Sequence, residues 1–223
     1  MSRTEKFLIL LISCLILSAY ILPYWFVIKE SASARSRFSI KRLNFGAGAA
    51  YKDAENQQVC DADFSIVRDE RILDIKLICK DMTSEFKFRD SKLISQNIKG
   101  GGKYFIRLLT SLAENEELMF PLPVSSEKLK SRICNIADDC SEVKYRRLGG
   151  SINYQFVSKD KSNYYMIDKE TFLPAALFIK EKSLSIEAKK YYSFGTNIKF
   201  PSVIEIRNDR EHLILSIEDL EIE

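Results

Sequence analysis

From residue 59 onward the chain alternates apolar and polar positions with period two over one short run after another, which is the pattern of half-buried strands. In "CDADFSIVRDERILDIKLIC", residues 60–79, a turn centred between Asp69 and Glu70 sets Ile66 opposite Leu73, Phe64 opposite Ile75, Ala62 opposite Leu77 and Cys60 opposite Cys79. That face is apolar throughout, while the other carries Asp61, Asp63, Ser65, Asp74 and Lys76. The C-terminal third repeats the device. "SINYQFVS" answers "NYYMID"; Leu177 meets Ile186 and Ile179 meets Leu184; Ile204 meets Leu215 and Ile206 meets Leu213 about a turn at Asp209 and Arg210. Asp63, Lys76, Glu187 and Glu205 fall on the outer faces. Consecutive hairpins of this kind predict a curved antiparallel meander with one apolar side.

Two stretches between these runs have helical period. "YFIRLLTSLAENEELMF" gathers Phe105, Leu108, Leu109 and Leu112 on one side, and "SSEKLKSRICNI" starts with serine caps and spaces Leu129, Ile133 and Ile136 at helical intervals. These helices, within residues 103–137, are expected to cover the apolar face of the sheet. Residues 38–51, "FSIKRLNFGAGAAY", read equally as a short helix or a first strand. "KGGGK" at 99–103 lacks the spacing of a phosphate-binding loop and reads as a turn.

The N-terminal region is different. Residues 7–28, "FLILLISCLILSAYILPYWFVI", carry no charge and as a helix span about 33 Å, enough for a bilayer core. A cleaved signal peptide with a site near Ala32-Ser33-Ala34, or a lipobox ending at Cys14, are the competing readings; the length favours an uncleaved anchor. Residues 29–37, "KESASARSR", read as a polar linker, which leaves a folded domain over 38–223. The basic residues after the apolar run would keep that domain in the cytoplasm. The cysteines oppose this. The hairpin register places Cys60 against Cys79, and Cys134 and Cys140 lie close enough to close a small loop; two such pairs suit an oxidising compartment. The folded domain is therefore expected outside the cytoplasm.

With 34 basic and 31 acidic residues well mixed among 223, the charge of +3 gives no footprint for nucleic acid. The single histidine, His212, expected on an exposed hairpin, has no nucleophile or metal-ligand set around it in sequence, so no catalytic residue, metal or cofactor is implied.

"MIDKETFLPAALFI", followed by "YYSFGTNIKFPSVIEI" and a last apolar strand, resembles the C-terminal half of the periplasmic outer-membrane lipoprotein carrier superfamily, which includes lipoprotein-binding sensors of envelope stress. The matching positions are Asp168, Thr171, Leu173, Pro174, Gly195, Phe200 and Pro201, which are turn and packing positions. The resemblance implies an α+β fold: a strongly curved, unclosed antiparallel half-barrel with helices over an apolar concavity. It implies binding of lipid or of lipoprotein acyl chains and, with the uncharged run at 7–28, a location in a bacterial inner membrane with the domain in the periplasm. Mapped on the strand faces, the concavity is expected to be lined by Phe64, Ile66, Leu73, Ile75, Leu77, Leu177, Ile179, Leu184, Ile186, Ile204, Ile206, Leu213 and Leu215. An anchored chain is ill suited to ferrying, so a tethered binder is expected. The alternative is a non-enzymatic interaction or sensor module docked on another envelope protein.

Overall fold

The computed structural model describes residues 22–36, 40–100, 105–138 and 140–223. Their strands form one antiparallel sheet. Its N-terminal arm is β1 (Arg42–Lys52), β2 (Gln57–Val67), β3 (Ile72–Cys79), β4 (Met82–Arg89) and β5 (Lys92–Lys99). The C-terminal arm runs β6 (Lys144–Leu148), β7 (Ser151–Val157), β8 (Tyr164–Asp168), β9 (Pro174–Ile179), β10 (Leu184–Tyr192), β11 (Phe200–Arg207) and β12 (His212–Ile217). Each arm is a meander, and pairing of β1 with β12 joins them, so the order is β5-β4-β3-β2-β1-β12-β11-β10-β9-β8-β7-β6. The sheet does not close, and β5 and β6 are its edges. A short β13 (Glu221–Ile222) returns to β1.

The sequence-derived registers hold. Cys60 pairs with Cys79, Phe64 with Ile75, Ile66 with Leu73, Leu177 with Ile186, Ile179 with Leu184, Ile204 with Leu215 and Ile206 with Leu213. Both cysteine pairs are disulfides, with Cα–Cα distances of 4.2 Å for Cys60–Cys79 and 4.9 Å for Cys134–Cys140.

The ambiguous stretch is resolved as the strand at the seam. In β1 the side chains of Leu43, Phe45, Ala47, Ala49 and Tyr51 are buried, while Gly46, Gly48 and Ala50 lie at the middle of the other face. Gly46 has a specific reason. Its N–H donates to the Asp219 carboxylate at 2.7 Å, and a Cβ there would meet the carboxylate oxygens at 3.0 Å. A side chain at position 46 would press on the Asp219 carboxylate that this N–H holds.

Helices α1 (Tyr24–Arg35), α2 (Ile106–Glu114), α3 (Glu116–Met119) and α4 (Ser126–Ala137) supply the cover. The hydroxyl of Ser125 accepts from the Lys128 N–H and caps α4, as its sequence suggested. α2 packs on β5 and β11, α3 on β9 and β10, α4 on β7 and β8, and α1 on α4. The stretch expected as a linker is thus helical up to Arg35, and Val27, Ile28, Ala32 and Arg35 are buried in the folded unit. Among the described residues no helix is long and apolar enough to cross a membrane. The expected span over 7–28 lies outside the described residues except for 22–28, of which 24–28 belong to α1.

Candidate ligand-binding face

Alternation along each strand sends one set of side chains inward, and the two arms combine their inner rows across the β1–β12 seam. Phe64, Ile66, Leu73, Ile75, Leu77, Leu177, Leu184, Ile186, Ile204, Ile206, Leu213 and Leu215 come together there, with 0–2% of their surface accessible. Ile179, next to the turn at residues 180–182, is half-buried against the same cluster. The face exists as expected, but it is not open. Leu108, Leu109 and Leu112 of α2, Leu118 and Met119 of α3, and Ile133 of α4 fill it, together with Phe105 and Phe120. Side chains this inaccessible leave no space for an acyl chain beside them in this state.

Aromatic rings join the cover to the seam. Phe45 stacks on Phe64 with centroids 4.5 Å apart, and Phe200 lies 5.2 Å from Phe45 and 5.7 Å from Phe120. Phe200 is one of the positions that carried the family resemblance, and its role is this packing. Asp168 serves the adjoining turn: one carboxylate oxygen accepts from the backbone N–H groups of Glu170 and Thr171 and from the Thr171 hydroxyl. Pro174 then opens β9, and its carbonyl accepts from the Tyr191 hydroxyl at 2.6 Å.

The residue that sequence reasoning missed is Arg35. It is 2% exposed, yet no carboxylate among the described residues lies within ion-pair distance of it. Its guanidinium donates to the Glu117 carbonyl at 2.8 Å, to the Leu118 carbonyl at 3.4 Å and to the Tyr165 hydroxyl at 2.6 Å. Tyr165 in turn donates to the Leu118 carbonyl at 2.8 Å. The Arg35 Nε has no acceptor among the described residues. One cation thus joins α1, α3 and β8. Burial raises the Tyr165 phenol, and the adjacent Arg35 opposes that rise. A cavity of about 360 Å³ bordered by Arg35, Pro121, Phe172, Leu173 and Ile198 adjoins this junction. The signal was present: Val27, Ile28, Ser31, Ala32 and Arg35, all buried, recur at helical spacing through a stretch whose small polar composition suggested a linker.

Beside the junction, α3 opens with two carboxylates in unlike settings. Burial pushes Glu116 up to about 7, its neighbour Glu117 adds to that, and Arg132 and Lys128 oppose it. Burial also acts upward on Glu117, but its ion pairs with Lys128 and with Arg132, the latter at 3.2 Å, outweigh it and hold this carboxyl below its ordinary value.

On the outer face, Glu187 and Glu205 form a compact network with Lys189 and Arg207, with contacts of 2.9–3.2 Å. His212, expected to be exposed, is half-buried next to it, with Nε2 3.8 Å from Glu205. A second, open depression of about 510 Å³ lies over the outer face of β1–β5, bordered by Asp63, Ser65, Asp74, Lys76, Glu85 and Lys87 among others.

No protein-family model matches the chain, and neither does any curated protein. Solved structures with a similar arrangement include a DUF1329 family protein from Desulfovibrio piger, 8% identical, covering 90% of this chain and 92% of that one with a TM-score of 0.47. A LolA superfamily protein from Nitrosomonas europaea is 7% identical and covers 91% and 94%, with a TM-score of 0.40. MucB, in its complex with MucA from Pseudomonas aeruginosa, is 10% identical and covers 90% and 99%, with a TM-score of 0.28. At such identities and scores none of their functions transfers to this chain.

Proposed function

We propose that this chain is a non-enzymatic, membrane-tethered periplasmic protein whose half-barrel takes up the acyl chain of a lipid or lipoprotein when its helical cover lifts. The observation that carries the reading is a continuous apolar inner face spanning both arms of an unclosed sheet, covered by short helices whose junction is pinned by one buried guanidinium. A guanidinium out of water with no counter-ion costs several kcal/mol before its hydrogen bonds offset it. A plain core gains nothing from such a group, whereas a cover that must release does: its last contacts are polar, and water replaces part of their energy once the cover opens. Burial of apolar chain then contributes about 0.8 kcal/mol per CH2 toward the open form. The uncharged run at 7–28 supports the tether, and the two disulfides support an oxidising compartment.

The closeness of packing favours a second reading, a sensor or interaction module of an envelope complex with a permanently filled core. Mass spectrometry of lipids extracted from gently purified full-length chain separates the two. A near-stoichiometric acyl lipid supports uptake. A folded chain that carries a stoichiometric protein partner and no lipid supports the module.

A further inference from the structure

Strand β6 ends the C-terminal arm: it pairs with β7 on one side and with no described strand on the other. Its outer row of backbone N–H and C=O groups is therefore open to another strand. Four of its five residues are exposed. Register places Tyr145 opposite Tyr154 and Arg147 opposite Ile152, so these share one face, while Lys144 and Arg146 point to the other. Tyr145 and Ile152, 37% and 39% exposed, give the first face an apolar floor. The ammonium of Lys169 lies 4.8 Å from the Tyr145 ring centroid. Lys144 has a loose ion pair with Glu142 at 3.8 Å, but neither Arg146 nor Arg147 makes an ion pair with any described residue.

The opposite edge, β5, is also open, but it carries lysines only at its two ends and polar or aliphatic residues between them. Charged edges normally serve to prevent pairing. At β6 that effect is selective. A second copy of β6 would set arginine against arginine, which repels, whereas a strand bearing carboxylates would neutralise both arginines through forked hydrogen bonds.

We propose that β6 is a docking strand for an extended acidic segment of a partner protein, which adds to the sheet edge with carboxylates on Arg146 and Arg147 and apolar side chains on Tyr145 and Ile152. This goes beyond acyl-chain uptake and does not depend on it, because β6 lies outside the covered face.

The test uses full-length chain in detergent micelles and two labelled short peptides, one of glutamate-glutamate-valine repeats and the other of lysine-lysine-valine repeats, because Arg146 and Arg147 lie on opposite faces and only adjacent carboxylates reach both. Fluorescence anisotropy is expected to show the acidic peptide binding at least about tenfold more tightly, with the advantage shrinking as salt rises. Methylating alternate backbone nitrogens of the acidic peptide leaves its charge intact and is expected to abolish binding, because the ladder cannot form. The double variant Arg146→Glu, Arg147→Glu should invert the preference. Equal binding of the two peptides, or binding indifferent to methylation, overturns the proposal, as does self-association of the chain through β6. The comparison between peptides needs no variant, so a misfolded mutant does not decide it.

Discussion

The Arg35 guanidinium donates to the Tyr165 hydroxyl at 2.6 Å, and through this pair a helix that precedes the whole sheet is fixed to a strand of its C-terminal arm. The same guanidinium holds two carbonyls at the end of α3, so cover and sheet meet at one polar point inside an otherwise apolar cluster.

Replacing Arg35 by methionine keeps much of the volume and removes every donor. Two carbonyls and a phenol lose a charged partner, although Tyr165 retains its own bond to Leu118. The expected loss is about 3 kcal/mol in urea denaturation of the full-length chain, with the amides of α3 exchanging faster than those of β2 and β3. A variant as stable as wild type, with unchanged exchange in α3, would show that this contact does not hold the cover.

Non-reducing peptide mapping should recover Cys60 linked to Cys79 and Cys134 to Cys140. With sequence separations of 19 and 6, loop-closure entropy gives about 3 and about 2 kcal/mol of stabilisation, so serine replacement of the first pair should cost more. Four free thiols in cells alkylated before lysis would remove the main support for a periplasmic domain.

Glu116 ties stability to pH. Its folded value of about 7 lies above its ordinary 4.5, so the fold binds a proton that the unfolded chain releases between those values. Its contribution is present below pH 4.5 and is lost as pH rises through about 7. His212, lowered mainly by burial and by Arg207, acts in the opposite sense: its contribution is present above 6.5 and is lost as pH falls through its folded value. The two are separated by comparing wild type with Glu116→Gln. Wild type should lose about 2 kcal/mol relative to the variant between about pH 5 and 8. A difference that stays flat over this window contradicts the burial of Glu116.

Leu177 tests how tightly the face is closed. It is fully buried and pairs with Ile186 under the cover. Leu177→Lys should cost about 4 kcal/mol or more, because it combines lost packing with an unpaired buried charge, while Leu177→Met should cost under about 1.5 kcal/mol. A lysine variant that melts like wild type would mean that the face has open space even without ligand.

Period-two alternation carries enough information to place Cys60 on Cys79 and Ile206 on Leu213, because the strand ends flanking each turn have one face of apolar residues. The seam was not visible in the same way. β1 pairs with β12 across most of the chain, and no local pattern encodes a contact of that separation. Its "GAGAA" run also lacks the β-branched residues that mark strands, since Gly46 answers to Asp219 instead. Arg35 was hidden by composition. Serine and alanine suggest a linker, and the helical spacing of its buried positions acquires meaning only against α4. The inner-face residues were identified correctly as one face, but alternation cannot distinguish a face that waits for a ligand from one already filled by Leu108, Leu112 and Phe120.

The central claim, that the covered face opens to an acyl chain, is tested most directly by photo-crosslinking. Full-length chain in detergent micelles is incubated with a fatty acid bearing a photoreactive group near its methyl end, irradiated, digested and mapped by mass spectrometry. Labels on inward positions of β9–β12, such as Leu177, Ile186, Ile204 and Leu215, competed away by unlabelled fatty acid, are the predicted result. Labels confined to residues 7–28, with the sheet unmarked while the chain remains folded, would contradict it.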